Sequence, residues 1–462
     1  MDQTPPEPDV AAAPTGRPDR ATPLVPQAEL GRRWRAARAQ DGVVHLDAAA
    51  ASRPSIATIT AQVDHLRREG LVGAYVAEME AAEALAEARG RLAALLGPGL
   101  TADDVAFQYS ATTGFGALLA AWPLPPGSRI GVVPGDYGAN LLLLASRAAR
   151  DGLELLELPV DELGRIDLGR LDRAGLHPPG GGAGGAGGRG GAGLEDLALV
   201  TFPQVPSQRG VVQPAAEVAA RCEAAGVDLV LDVAQSLGQV DVTGIAASAW
   251  TGTSRKWLCG PRGAGFVAVR PEVVELLGVG APSLYSAHPV GLWDPGGRPE
   301  SAGAAGRPLA GMARLSVGEA SVASRVGLAT ALSELFAEDL SAMRTRIAAL
   351  ARHARRALDG VAGWRLGEEA DSPCGIVTLR PPPHADPLAT SQALYRRARI
   401  LTSPIPVGRA PELTGPVLRI SAHVDTIPAE IDQLAEALDR WGRPDDDQEA
   451  TPETTSVRQI SP

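Results

Sequence analysis

The sequence predicts an α/β protein, with a large domain on a mostly parallel sheet followed by a smaller α+β C-terminal domain. Three observations carry this reading. Short apolar runs alternate with helical patterns through the middle of the chain, as in sheets covered by helices. One run ends in a carboxylate, Asp232, at a strand C-terminus, where open parallel sheets bind ligands. Near Ser321 the pattern changes to two long helical segments followed by further β-like runs. Of the 462 residues, 45% are hydrophobic and 21% charged, which suits a chain that buries a large core.

In chain order, residues 1–26 are rich in Pro, Ala, Asp and Thr without periodicity and read as a disordered tail. Residues 31–38 (GRRWRAAR) read as the solvated side of an amphipathic helix. Residues 64–96 predict a long helix or helix pair interrupted near Gly70 and Gly73. Strand-like runs at 105–109, 129–133 and 197–202 each precede a helical pattern, at 114–122, 140–149 and 214–225. Runs at 229–232 and 265–269 complete the sheet signal. The glycine-rich stretch 178–193 lacks a following GKS or GKT, so a flexible linker is predicted rather than a phosphate loop. Helical segments at 321–336 and 340–358 lead to strands near 375–379 and 416–421, with helices at 388–399 and 428–441. The expected organisation is a large domain over 27–320, a small domain over 321–442 and a disordered tail over 443–462.

The formal net charge is −11 and no basic, aromatic-interleaved stretch occurs, which argues against nucleic-acid binding. No apolar run is long enough to span a membrane and no secretory leader is recognisable, so a cytoplasmic protein is expected. Three cysteines and seven histidines are too scattered for a disulfide framework or a metal site.

Among 43 Lys and Arg residues only Lys256 is lysine. A guanidinium stays protonated, so arginine cannot replace an amine that must attack a carbonyl. Lys256 lies in Thr253-Ser-Arg-Lys-Trp257, 24 residues after Asp232. The adjacent Arg255 disfavours the ammonium form and so favours a nucleophilic amine. Ser110-Ala-Thr-Thr-Gly114 follows a strand and opens a helix, where free N–H groups and hydroxyls can hold an anion. An anion anchor, a carboxylate for a pyridinium nitrogen and an amine for a Schiff base together match the binding logic of pyridoxal phosphate.

With these motifs, and with His45-Leu-Asp-Ala-Ala-Ala50, Pro134-Gly-Asp-Tyr-Gly-Ala-Asn140, Val317-Gly-Glu-Ala-Ser-Val-Ala323 and Leu418-Arg-Ile-Ser421, the chain resembles the class V aminotransferase family. The resemblance runs from His45 to Asp425. It implies the fold type I architecture of pyridoxal-phosphate enzymes, with a seven-stranded type of sheet, and a homodimer. It implies that Lys256 carries the cofactor and then acts as base at Cα. Asp232 would pair with the ring nitrogen, and Gln235 would bond the ring oxygen. Thr112, Thr113, Thr253 and Arg255 would hold the phosphate, Tyr137 would stack on the ring, and Arg419 would clamp the substrate α-carboxylate. Ser207 stands near the ring oxygen where family members often carry asparagine. Arg255 replaces a common histidine. Glu319 replaces a threonine that reaches the partner subunit's phosphate, which a carboxylate would repel.

Desulfurases of the family need a mobile cysteine to accept sulfur, and residues 400–409 contain none. Cys374 reads as a small core residue. A retained lysine without that thiol points to β-elimination from a small amino-acid sulfoxide, with no metal required.

Overall fold

The computed structural model describes residues 25–173, 175–180, 192–288 and 307–441. Residues 25 and 26 apart, the expected tails lie outside the described residues, as does the glycine-rich stretch except 178–180, 192 and 193.

Helix α1 (Val25–Ala36) leads to a short strand β1 (Val44–His45). Helix α2 (Ile56–Val72) starts where the Ser55 hydroxyl accepts from Thr58 N–H. It separates from α3 (Ala74–Leu96) at Gly73, whose φ of +87° side chains rarely tolerate, while Gly70 stays within the helix. There follow β2 (Val105–Gln108), α4 (Ala111–Ala121), β3 (Arg129–Val132), α5 (Gly138–Asp151), β4 (Glu154–Glu157), β5 (Leu199–Pro203), α6 (Ala215–Ala225), β6 (Asp228–Asp232), β7 (Ala249–Thr253) and β8 (Gly265–Val269).

These seven strands form one mixed sheet in the order β2-β8-β7-β6-β5-β3-β4. Only β8 runs against its neighbours. The C-termini of β2 to β7 therefore open on one edge. Alternation along each strand feeds two apolar layers. Leu229, Leu231 and Phe266 join one cluster, whereas Val230, Val267 and Val269 join the other. Each fully buried aliphatic or Phe side chain contributes about 1.5–3 kcal/mol.

The C-terminal part comprises α7 (Val322–Phe336), α8 (Leu340–Leu358), β9 (Arg365–Leu366), β10 (Ile376–Arg380), α9 (Pro387–Ala398), β11 (Ile400–Leu401), β12 (Ser403–Ile405), β13 (Val417–Ser421) and α10 (Pro428–Trp441). A four-stranded antiparallel sheet runs β12-β13-β10-β9. Strand β1 pairs in parallel with β11, and Ser421 N–H donates to Leu46 O. Val44 and Leu46 pack in the C-terminal apolar cluster with Trp364 and Ile420. The chain thus carries Asp47 from its N-terminal region to the seam between the two sheets.

Candidate active site

A cavity of about 580 Å³ lies at this seam, lined by Asp47, Tyr137, Ser207, Gln235, Arg255, Lys256, Ser403, Arg409 and Arg419, among others. The side chains in and around it are placed for local reasons. Asp232 ends β6 and Thr253 ends β7, so both sit at the ligand edge of the sheet. Lys256 follows β7 in a tight turn closed by Cys259 N–H donating to Lys256 O and by Gly260 N–H donating to Ser254 O. Gly260 permits the turn, because a Cβ there would stand 2.8 Å from that of Ser254.

Burial pulls the Lys256 amine down to about 7, Arg255 pushes in the same direction, and the Asp232 charge opposes them. Arg419 and Arg409 add to the downward shift. The amine is therefore poised to act as a nucleophile chiefly through its burial, a cause the local sequence does not display.

Asp232 is 7% exposed. Its Oδ1 accepts from Ala234 N–H (2.8 Å) and its Oδ2 from Asn140 Nδ2 (3.0 Å). The same Asn140 amide donates to Asp136 Oδ1 at 3.2 Å. Asp136 is fully buried, and burial together with the Asp232 charge pushes its carboxyl up to about 8. Asp136 Oδ2 and Asn140 Oδ1 are both buried without a partner among the described residues. A proton on Asp136 Oδ2 turns one orphan into a donor, and the other is an acceptor. Neither residue stood out in the sequence, although both lie in the motif that ends at Asn140.

Gln235 donates to Ala49 O and accepts from Trp257 Nε1, each at 2.9 Å, so it ties the Asp47 segment to the lysine turn while facing the cavity. Ser207 lines the cavity, donates to Gln208 Oε1 and offers its carbonyl to Arg419 NH1 at 2.7 Å. Arg419 is 4% exposed, and its NH2 reaches Asp47 Oδ1 (3.2 Å) and Ser403 Oγ (3.1 Å), while Nε has no partner among the described residues. Three anchors on separate segments fix this guanidinium in the wall. Tyr137 is half-buried at the start of α5, with the Arg409 guanidinium 5.9 Å from its ring centre.

Thr112 and Thr113 lie in the first turn of α4, at the same sheet edge. The Thr113 hydroxyl is engaged in a capping box with Ser110, donating to Ser110 O (3.0 Å) and accepting from Ser110 N–H (2.9 Å). Thr112, Thr113, Asp232 and Thr253 stand outside the residues lining the cavity. Glu319 is exposed, and its carbonyl accepts from the Tyr109 hydroxyl. Trp257 is 1% exposed and belongs to the core, whereas Tyr75 and Tyr285 are surface residues. Among the described residues, no group of His, Cys, Asp and Glu could hold a metal ion.

The "Aminotransferase class-V" family model matches residues 193–400. A Mycobacterium tuberculosis (strain CDC 1551 / Oshkosh) protein named "Probable hercynylcysteine sulfoxide lyase" is 39% identical over 88% of this chain and 93% of its own length. Isopenicillin N epimerase of Streptomyces clavuligerus is 35% identical over 52% of this chain and 59% of its own. The cysteine desulfurase of Thermococcus onnurineus NA1 shares the fold, with a TM-score of 0.72 at 18% identity over 86% of this chain and 94% of that one. The residues present fit pyridoxal phosphate. A low-pKa amine faces a cavity that its aldehyde could enter, a buried carboxylate closes β6 nearby, and Arg255 brings a guanidinium that makes no ion pair among the described residues and can meet a dianion. The chain belongs to the class V aminotransferase family of pyridoxal-phosphate enzymes.

Proposed function

We propose that this protein is a carbon–sulfur lyase that cleaves hercynylcysteine sulfoxide by β-elimination. The observation that carries the reading is the near-full-length likeness to the mycobacterial protein of that name. The cysteines support it. Cys222, Cys259 and Cys374 are all buried, with thiols pushed above their ordinary range by burial, and none lies in the 400–416 segment. Desulfuration needs an accessible acceptor thiolate, so it is disfavoured.

Pyridoxal phosphate, when bound, draws electrons from the Cα of an attached amino acid and so acidifies its proton. In this reading Asp232 holds a negative charge at the ring nitrogen, and Asn140 fixes the carboxylate in place. Arg255 and the start of α4, with Thr112, Thr113 and Thr253, hold the phosphate. Gln235 and Ser207 serve the ring oxygen, and Tyr137 covers the ring face. Arg419 orients the substrate α-carboxylate, prepositioned by Asp47, Ser207 and Ser403. Lys256 would hold the cofactor and, with its amine free and neutral, would take the Cα proton of the substrate. The Cβ–S bond then breaks, with its electron pair leaving on sulfur as a sulfenate. The three-carbon fragment departs as 2-aminoacrylate, which water converts to pyruvate and ammonia. An external thiol reduces the sulfenic acid.

The site's place in a homodimer is part of the same proposal, as is a cytoplasmic location; no described helix is long and apolar enough to cross a membrane. The deciding assay incubates the holoenzyme with hercynylcysteine sulfoxide and measures pyruvate and ergothioneine together. Both are expected, and Lys256→Ala should lower the rate at least about 1000-fold through loss of both amine roles. An undiminished rate in that variant overturns the reading.

A further inference from the structure

Four cations line the cavity: Arg255, Lys256, Arg409 and Arg419. Three of them have roles under the lyase reading. Arg255 meets the phosphate, Lys256 the cofactor and Arg419 the α-carboxylate. Arg409 has none, yet the protein holds it in the wall. Its guanidinium makes no hydrogen bond or ion pair among the described residues, and its one recorded contact is the Tyr137 ring at 5.9 Å.

Arg409 is not a stray surface side chain. It is half-buried, and its backbone is fixed on both sides. Arg409 N–H donates to Pro406 O at 3.0 Å, and Arg409 O packs so closely on Gly138 that a Cβ there would lie 2.7 Å away. Three residues on, Glu412 accepts from Gln208 Nε2 (2.8 Å) and Arg209 Nε (3.0 Å). A guanidinium prepositioned beside an aromatic ring, partly desolvated and without a counter-ion, is a ready receptor for an anion. Its charge also acts on Arg419 and Lys256, so an anion arriving at Arg409 would lie near the other cationic groups of the cavity.

We propose that Arg409 is a second carboxylate clamp, so that the site selects cysteine sulfoxides whose sulfur substituent itself carries an acid group. This rests on the lyase reading, under which the substituent is a histidine betaine that retains its carboxylate. Asp386, exposed at the cavity wall where it caps α9 by accepting from Leu388 and Ala389 N–H, adds negative charge to that wall for the cationic part of such a zwitterion.

The test compares two small substrates of equal length, S-(2-carboxyethyl)-L-cysteine S-oxide and S-propyl-L-cysteine S-oxide. Wild-type kcat/KM should favour the acid by about 10- to 100-fold, the range of a charge-assisted bidentate contact. Arg409→Gln should collapse that ratio to within about threefold, Arg409→Lys should keep part of it, and Arg409→Glu should turn the preference toward S-(2-aminoethyl)-L-cysteine S-oxide. The same ligands are titrated calorimetrically into Lys256→Ala protein loaded with pyridoxal phosphate, where no turnover is needed. Absent pyruvate from every sulfoxide, hercynylcysteine sulfoxide included, with an Arg409-dependent affinity ratio sinks the lyase reading and leaves the clamp. Pyruvate formed from both substrates at equal kcat/KM sinks the clamp and leaves the lyase. A wild-type ratio that Arg409→Gln leaves unchanged while cofactor affinity falls assigns Arg409 to the phosphate and also overturns the proposal.

Discussion

Lys256 and Asp136 are displaced from their ordinary protonation by the same force, burial, and each displacement has a measurable consequence. With its pKa near 7, the Lys256 amine is mostly protonated a unit below that pH and mostly free a unit above. Covalent attachment of pyridoxal phosphate to the apoprotein should therefore quicken about tenfold between pH 6 and 8. Arg255 is the largest charge acting in that direction, so Arg255→Met should move the midpoint upward; stopped-flow absorbance checks both. Asp136 runs the other way. Its folded pKa of about 8 exceeds its ordinary 3.8, so the folded state keeps a proton that the unfolded chain has lost. Its contribution to stability is present in full below about 4 and is lost as pH rises through about 8. Asp136→Asn copies the neutral acid and should remove this loss. The unfolding free energy from urea titrations between pH 5 and 8 should fall in wild type relative to the variant, by on the order of a few kcal/mol. Parallel curves would mean that Asp136 is ionised in the fold.

At the scale of elements, the segment between β12 and β13 closes one wall of the cavity and hangs on Glu412. That carboxylate is wedged over Gly135 and Gly164, where added Cβ atoms would lie 3.1 and 2.6 Å from Oε2. Glu412→Gln weakens its bonds to Arg209 and Gln208, each worth about 1.5–3 kcal/mol when one partner is charged. Trypsin should then cut the Arg409–Ala410 bond faster, and KM should rise about 3- to 10-fold with a smaller change in kcat. An unchanged digestion rate would show that Glu412 is not the fastener. These elements also mark what the sequence could disclose. Strands β3, β6 and β8 were legible as apolar runs, Asp232 as a carboxylate where a strand ends, and Lys256 as the lone lysine beside an arginine. Strand β7 was not, because Gly252 interrupts its apolar run; a Cβ there would lie 2.3 Å from the Phe266 ring. The charged ends of β4 likewise hid an edge strand. Asp47 escaped notice because its partner Arg419 is 372 residues away, and Asn140 because its value lies in bridging Asp136 to Asp232. Pairings across such distances leave no local pattern.

On the scale of the whole molecule, α1, the lysine turn and the segment after β13 meet in one aromatic stack. His423 lies between Trp34 (5.6 Å, 28°) and Trp257 (5.7 Å, 24°), next in sequence to Lys256. The imidazole contacts Trp257 O through Nε2 (3.2 Å), so the neutral Nε2–H tautomer can donate there. Arg38 covers the Trp34 ring at 4.2 Å and pairs with Glu334, while Asp425 pairs with Arg53 at 2.7 Å. Burial dominates over the nearby Asp425 and Glu334 and lowers the His423 pKa to about 4, with Arg38 acting in the same direction. The unfolded chain takes up this proton near its ordinary 6.5, before the folded state does. Stability is therefore present in full above about 6.5 and lost as pH falls toward about 4. The loss is on the order of 3 kcal/mol. Asp425, held low by His423, Arg53 and Arg38 against its burial, adds acid sensitivity, and part of it is lost together with the His423 charge. His423→Gln keeps a donor for Trp257 O and cannot titrate, so it should be less stable than wild type at pH 7 yet lose less between pH 6.5 and 4. Urea midpoints across that range, with near-ultraviolet circular dichroism reporting Trp34 and Trp257, measure the difference. Equal slopes would show that the seam beside Lys256 opens for another reason, while a flatter slope would make His423 the group through which acid separates α1 from the lysine turn.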